Sequence, residues 1–225
     1  HPPPPDPPAL SPPPAHTSAA GHCDDIHQVV APVLQPNGGD NYYINLSKDS
    51  FKLGGSSFAQ SLNKVGHEAP GIVDRTFFKT VFNTLQQLIK QNKIVAGHDV
   101  ASGGLITTLL EMCFADTQLG AVLDISGLKN SDTVKVLFSE NAGIVFQVAD
   151  DDAISSLDKA TIEYYKIGSV TRNPQVTIQN GPDFLSFDVA KLRDTWYKTS
   201  YLLDSHQTAN NLAKARYTNY KEQPL

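Results

Sequence analysis

Residues that could do chemistry concentrate in a glycine-rich stretch, Val95 to Leu105, between two apolar segments. Within it, Asp99 and Ser102 precede the pair Gly103-Gly104, after which a helical pattern begins. A glycine turn at a helix N-terminus leaves backbone N–H groups without intrahelical partners, and such an end attracts anions. A carboxylate as near as that of Asp99 would repel the anion unless a cation lay between them. Together, turn and carboxylate suggest a phosphate–Mg²⁺ site.

A purely structural interpretation fits the same residues. The glycines would then make a tight turn from strand to helix, and Asp99 would cap the helix. Because a single Gly-Gly turn is a weak signal for ligand binding, both interpretations stay open on the local pattern.

A second glycine turn lies upstream, where Gly54-Gly55 precedes Ser56, Ser57 and a short helical pattern. Gly54, Gly55 and Ser56 could present backbone and side-chain donors to a ligand. Alternatively, Ser56 or Ser57 simply caps the short helix.

The helix predicted for about residues 104–116 is apolar nearly all round, and Glu111 is the exception. A carboxylate two turns into a covered helix could bind a ligand. Clusters of titratable groups mark sites better than single acids do, so Glu111 could equally be solvated or paired. Cys113 lies on the apolar side of the same helix, which predicts a buried, reduced thiol.

The elements that must position these residues alternate early in the chain and cluster as strands later. A helix over about residues 74–92, capped by Asp74, has apolar residues at spacings of three and four. Asp24-Asp25 before an apolar run predicts another short, capped helix. The fold class is therefore α/β, a mixed sheet with helices packed on it. Predicted strands cover about residues 42–46, 94–98, 120–125, 143–148, 166–170, 176–179 and 184–187.

Composition excludes several classes of function. The 225 residues, 40% hydrophobic and 18% charged, are enough for one globular domain with a full core. No apolar run approaches the roughly 20 residues that span a bilayer. A net charge of −5 without a basic stripe argues against nucleic acid as a partner. Since no signal-peptide pattern is found either, we expect a cytoplasmic enzyme, or a fragment of one, without a membrane partner.

The first 14 residues contain nine prolines. Such a segment cannot form a helix or an inner strand, so residues 1–20 are predicted to be extended and poorly ordered. A linker is one interpretation, and a proline-rich docking peptide is another.

Four stretches in this order, together with the Trp196–Tyr201 helix, resemble the phosphoribosylformylglycinamidine synthase family of purine biosynthesis. The similarity covers roughly residues 21–225. The four stretches are Leu53–Gln60, Gly97–Leu105 with Leu110–Ala115, Leu137–Gly143 and Lys166–Val170.

The resemblance implies a particular domain organisation. The family belongs to the aminoimidazole ribonucleotide synthetase superfamily, and its large form carries two ATP-using units in tandem, followed by a glutaminase domain. This chain resembles the C-terminal half of the second unit. Residues 21–205 would form a domain like the C-terminal domain of aminoimidazole ribonucleotide synthetase, and residues 206–225 would be a linker toward the glutaminase domain. The expected partners are that domain and the N-terminal half of the same unit.

The resemblance also implies a function. The family uses ATP to convert formylglycinamide ribonucleotide and glutamine to formylglycinamidine ribonucleotide. The first unit would do this chemistry, and the second would hold ATP or ADP with Mg²⁺ in a structural role. Asp99 would be a Mg²⁺ ligand, and Ser102, Gly103 and Gly104 would face the phosphates. Further nucleotide contacts would come from Gly54, Gly55 and Ser56. The fragment alone is expected to be inactive.

The chain departs from the family pattern at Ala101-Ser102, where the family usually has serine followed by an acidic or small residue. The hydroxyl is therefore displaced by one position. The glycine turn with its preceding aspartate is also compatible with other superfamily members, such as selenide or thiamine-phosphate kinases and hydrogenase maturation factors. A ligand-free interaction module is a third interpretation.

Overall fold

A seven-stranded mixed sheet organises the structure, a computed structural model that describes residues 25–219 apart from residues 117, 149 and 151. The strand order is β2-β4-β1-β5-β3-β6-β7. Only the β3–β6 pair is parallel; the other neighbours are antiparallel. The predicted α/β class with a mixed sheet is confirmed. The strands are β1 Asp40–Asn45, β2 Ile94–Asp99, β3 Gly120–Asp124, β4 Gly143–Val148, β5 Tyr165–Thr171, β6 Gln175–Asn180 and β7 Asp183–Asp188.

Seven α-helices lie in the described part of the chain. The helices are α1 Ser57–Ser61, α2 Arg75–Lys90, α3 Gly104–Phe114, α4 Thr133–Phe138, α5 Asp152–Lys159, α6 Val189–Gln207 and α7 Leu212–Asn219. Four of them, α1, α2, α4 and α6, start directly after a residue whose side chain caps the helix. Asp74 accepts a hydrogen bond from the backbone N–H of Phe77 at 2.8 Å, as predicted for the cap of the longest amphipathic helix.

Two apolar clusters lie on opposite faces of the sheet. One joins α2 and α5 to β2, β4 and β1, with Val81, Leu85 and Phe146 fully covered or nearly so. The other joins α3, α4 and the start of α6 to inward-facing strand residues, among them Leu105 and Ile178. Because α3 packs into this second cluster and follows β2 directly, the glycine-rich stretch between them has a rigid element on each side.

The short helix predicted to start at Asp24-Asp25 is wrong for the described residues. The chain turns at Asp25, whose carbonyl oxygen accepts from the Gln28 N–H at 3.0 Å, while its carboxylate accepts from the His27 N–H at 2.9 Å. An aspartate that satisfies the N–H two residues on favours a turn over a helix. The β-branched residues and Pro32 that follow favour extended backbone. The proline-rich residues 1–20 lie outside the described residues.

Helix α6 runs through the boundary predicted after residue 205. Helix α7 packs against it: Arg216 donates to Asp204 at 2.6–3.0 Å, and the rings of Tyr201 and Tyr217 stack with centroids 4.6 Å apart. Residues 206–219 therefore fold onto the preceding helix. That they lead on to a glutaminase domain stays a prediction. Across the described part of the chain, no helix combines the length and the apolar character needed to cross a membrane.

Candidate nucleotide and metal site

The turn between β2 and α3 needs both of its glycines. Gly103 and Gly104 have φ angles of +89° and +77°, a region that L side chains rarely adopt. A Cβ on Gly104 would also lie 2.6 Å from the carbonyl oxygen of Leu137, at the end of α4. The pair therefore allows α3 to start close against the chain that leaves α4.

That chain carries Glu140, a residue that local sequence patterns did not single out. Its Oε1 accepts hydrogen bonds from the backbone N–H of Gly103 and from the backbone N–H of Ser57, each at 2.8 Å. We call this arrangement of Glu140, Ser57 and Gly103 the Glu140 clamp. The clamp joins both predicted glycine turns to the stretch Leu137–Gly143. The stacked rings of Phe58 and Phe138, with centroids 4.7 Å apart, lie beside it.

Glu140 occupies the position that an anion would take at the start of α3. A helix N-terminus attracts negative charge, and here the chain supplies its own carboxylate. Gly103 therefore does not offer a free N–H to a phosphate in this conformation. Nor does Gly104, whose N–H donates to the carbonyl oxygen of Ala101 at 3.0 Å.

The upstream glycine turn is likewise satisfied internally. The backbone N–H groups of Gly54 and Gly55 donate to the carbonyl oxygens of Glu68 and Val65 at 2.8 and 2.6 Å. Ser56 is buried; its hydroxyl donates to the Leu53 carbonyl oxygen at 2.7 Å and accepts from the first turn of α1. The structure thus gives Ser56 the role of helix cap, the alternative left open from its sequence.

Asp99 and Ser102 are the predicted site residues whose side chains the structure leaves exposed. Asp99 ends β2, and 78% of its side chain is accessible to solvent. It does not cap α3, because the residue before that helix is Gly103, which makes no side-chain cap. The main chain of Asp99 is fixed instead: its carbonyl oxygen accepts from the Thr108 hydroxyl at 3.1 Å. An exposed carboxylate thus projects from a rigid base.

His98 connects Asp99 to Glu111. Its Nδ1 lies 2.8 Å from the carbonyl oxygen and 3.3 Å from the carboxylate of Asp99, and its Nε2 lies 3.2 Å from the Glu111 carboxylate. Glu111 is therefore paired, one of the alternatives that its sequence left open.

The fit of these residues to Mg²⁺ is partial. Among the described residues, no group of three or more His, Cys, Asp or Glu side chains could hold a metal ion. Mg²⁺ usually takes one or two carboxylates and fills its remaining positions with water and phosphate oxygens. Asp99 fits the role of one such carboxylate, and the other ligands would have to come from the nucleotide, from water or from another part of the protein.

Two open cavities adjoin the predicted residues. One, of about 350 Å³, has Gly54, Phe51 and Phe58 among its lining residues. The other, of about 390 Å³, is lined mainly by apolar residues, including some of α2, β2 and β4, and has His98 and Asp99 at its wall.

Asn141 holds the loop that leads into the upstream glycine turn. Its side-chain amide is buried and donates to the Ser47 hydroxyl and the Ser50 carbonyl oxygen, each at 3.0 Å. In the same loop, the hydrogen bond from Lys52, followed by that from the Gly71 N–H, lowers the pKa of Asp49 below its ordinary value. Glu140 and Asn141 are adjacent, so one short segment fixes both the loop and the clamp.

Comparison with known proteins places the chain in a family. A family model described as AIR synthase related protein, C-terminal domain, matches residues 46–180. The chain is 35% identical over 196 residues to a probable phosphoribosylformylglycinamidine synthase, chloroplastic/mitochondrial, of Arabidopsis thaliana, covering 84% of the chain and 14% of the relative. It is 33% identical over 199 residues to the phosphoribosylformylglycinamidine synthase of Homo sapiens, covering 84% of the chain and 15% of the relative. The chain thus spans a small part of these relatives.

Solved structures with the same fold are more distant in sequence. T. maritima PurL complexed with ATP superimposes with a TM-score of 0.53 at 15% identity, over 73% of this chain and 27% of that one. T. maritima PurL complexed with FGAR gives a TM-score of 0.56 at 17% identity, over 73% and 29%. The chain belongs to the AIR synthase related protein C-terminal domain family, and the resemblance to phosphoribosylformylglycinamidine synthases that its motifs indicate is confirmed.

Proposed function

We propose that this chain is the C-terminal half of the second ATP-using unit in a phosphoribosylformylglycinamidine synthase. In the whole enzyme, ATP and glutamine would convert formylglycinamide ribonucleotide to formylglycinamidine ribonucleotide. This half would help to hold ATP or ADP with Mg²⁺ in an auxiliary role, and it would be inactive alone. Its partners would be the N-terminal half of the unit and the glutaminase domain. The cytoplasmic location stays a prediction; the Arabidopsis relative carries a chloroplastic/mitochondrial name.

The observation that carries the proposal is the geometry of Asp99. Its main chain is held at the end of β2, while its carboxylate projects into solvent beside the start of α3. The described residues supply no further set of metal ligands at this surface. An exposed carboxylate on a fixed main chain therefore suits a metal site that another domain completes. Bound Mg²⁺ would neutralise phosphate charge there.

The glycine turns have a different role in this proposal from the one that their sequence suggests. Because Glu140 accepts hydrogen bonds from the N–H groups of Ser57 and Gly103, the turns would shape the surface rather than bind phosphate directly. The nucleotide would be held through Mg²⁺ at Asp99, with Ser102 as the exposed hydroxyl next to the turn. The ATP complex of T. maritima PurL supports nucleotide as the ligand class, since that protein has this fold.

A thermal-shift series with Mg-ADP tests the proposal. This chain alone should respond by less than about 1 °C. A protein that also carries the N-terminal half of the unit should be stabilised by about 2.7 kcal/mol at a ligand concentration 100-fold above the dissociation constant. Asp99→Asn should abolish that response. Asp152→Asn is the matched control, because its side chain is equally exposed, at 77%.

Three results would contradict the proposal. An undiminished response in Asp99→Asn would exclude Asp99 as a ligand. Formation of formylglycinamidine ribonucleotide by this chain alone would refute its proposed inactivity. Absence of any response in the longer protein would favour a ligand-free interaction module.

A further inference from the structure

We propose that Glu111 and His98 form a positioning pair that sets the direction of the Asp99 carboxylate for Mg²⁺. The inference rests on the proposed function, and it assigns a role to two residues that have none in it. The pair is defined by three contacts: Glu111 to His98, His98 to the Asp99 carbonyl oxygen, and His98 to the Asp99 carboxylate.

The contacts form a continuous path from helix α3 to the exposed acid. Glu111 lies on α3, and its carboxylate is 3.2 Å from Nε2 of His98. The other ring nitrogen, Nδ1, is 2.8 Å from the carbonyl oxygen of Asp99 and 3.3 Å from its Oδ1. Each ring nitrogen thus faces a residue that accepts hydrogen bonds, so rotation of the ring would break contacts at both ends.

Both residues of the pair are more buried than the acid that they would position. The side chains of His98 and Glu111 are 19% and 28% exposed, whereas that of Asp99 is 78% exposed. An exposed aspartate with no such contact would sample several rotamers, and ordering it on binding would cost conformational entropy. A partly buried imidazole fixed at its far side reduces that cost, as outer-shell groups do at metal sites.

A purely structural role makes a different prediction. The Glu111–His98 contact also ties α3 to β2, so removing it would lower the stability of the fold whether or not a metal binds. What separates the two roles is the affinity for Mg²⁺ at saturating ADP, because a loss of stability alone would leave that affinity of the folded protein unchanged.

The experiment measures Mg²⁺ affinity at saturating ADP by titration calorimetry on the full-length protein that contains this chain. Glu111→Ala and His98→Ala should weaken Mg²⁺ binding by 10- to 100-fold, the usual effect of losing an outer-shell partner. Binding of ADP without Mg²⁺ should stay within about twofold, by the same reasoning. His98→Asn, which keeps a donor close to the Nδ1 position, should recover part of the loss. Asp204→Asn, which breaks the ion pair between α6 and α7, is the structural control and should leave Mg²⁺ affinity unchanged.

The outcomes separate the two proposals. If Asp99→Asn weakens Mg²⁺ binding but Glu111→Ala and His98→Ala do not, the positioning pair is refuted and the proposed function stands. If all variants including Asp204→Asn lose affinity together, the effect is structural and the pair is refuted. If the unaltered full-length protein shows no Mg²⁺-dependent ADP binding at Asp99, both proposals are overturned.

Discussion

Removal of the Glu140 carboxylate should separate the two glycine turns from each other. Glu140→Ala deletes the acceptor of two backbone N–H groups, those of Ser57 and Gly103. A hydrogen bond to an ionised group contributes about 1.5–3 kcal/mol. Because one oxygen of a partly buried side chain accepts both bonds, we take the lower value for each and expect a loss of about 3 kcal/mol in the free energy of unfolding. For a chain of this size, that corresponds to about 6–12 °C in Tm.

Two matched variants sharpen this measurement. Glu140→Gln keeps an oxygen acceptor without the charge, so about half of the loss is expected. Glu68→Ala removes another acid near the upstream turn that takes no part in the clamp, and it should change the unfolding free energy by no more than about 0.5 kcal/mol. Urea unfolding gives the free energies, and amide hydrogen exchange reports Ser57 and Gly103 directly. If Glu140→Ala unfolds like Glu68→Ala and leaves the exchange of both amides unchanged, the clamp does not exist in solution.

Three further predictions test the surrounding structure. Gly55→Ala should lower the free energy of unfolding by about 1–2 kcal/mol, since the φ of +75° is unfavourable for alanine although the new Cβ would meet open space. Gly104→Ala should lower it clearly more, because the new Cβ would also lie 2.6 Å from a main-chain oxygen. Equal losses in urea unfolding would contradict the tight turn. Burial raises the pKa of Cys113 to about 12. In a Cys23→Ser background, iodoacetamide at pH 8 should therefore label Cys113 only as fast as the protein unfolds. Rapid labelling of the native state would refute the burial of this thiol. The lowered pKa of Asp49 stabilises the fold at pH values above the ordinary carboxyl pKa of 3.8, and this contribution is lost as pH falls below it. In Asp49→Asn, the free energy of unfolding should therefore fall less steeply as the pH is lowered through this range. An unchanged decrease would contradict the assigned hydrogen bonds.

Local patterns predicted the helices and strands well where a capping residue marks the start of a helix or where apolar residues form one continuous face or run. The cap at Asp74 and the apolar spacing behind it determine α2, and the apolar run from Gly143 to Val148 became an inner strand between β2 and β1. Prediction failed at Asp25, where a turn and a helix cap use the same side chain. Strand order, with its single parallel pair, depends on contacts between segments far apart in the chain, which periodicity does not report.

The candidate site was predictable only in its parts. The glycine turns were recognisable because few other residues adopt their backbone angles. The carboxylate that accepts their hydrogen bonds was not recognisable, since Glu140 is separated from Ser57 and Gly103 by 83 and 37 positions of sequence. The resemblance implied that Gly103 faces phosphate, but in the structure its N–H donates to Glu140. Asp99 kept its predicted role as a proposal because the fold leaves its carboxylate exposed.

In the proposed function, Asp99 holds Mg²⁺ at a second nucleotide site of a larger synthase. A calorimetric count of bound Mg-ADP on the full-length protein, with and without Asp99→Asn, is the decisive measurement of this role. We predict that the unaltered protein binds one equivalent more than the variant does. The same number of bound nucleotides in both proteins, with the same affinities, would contradict this role.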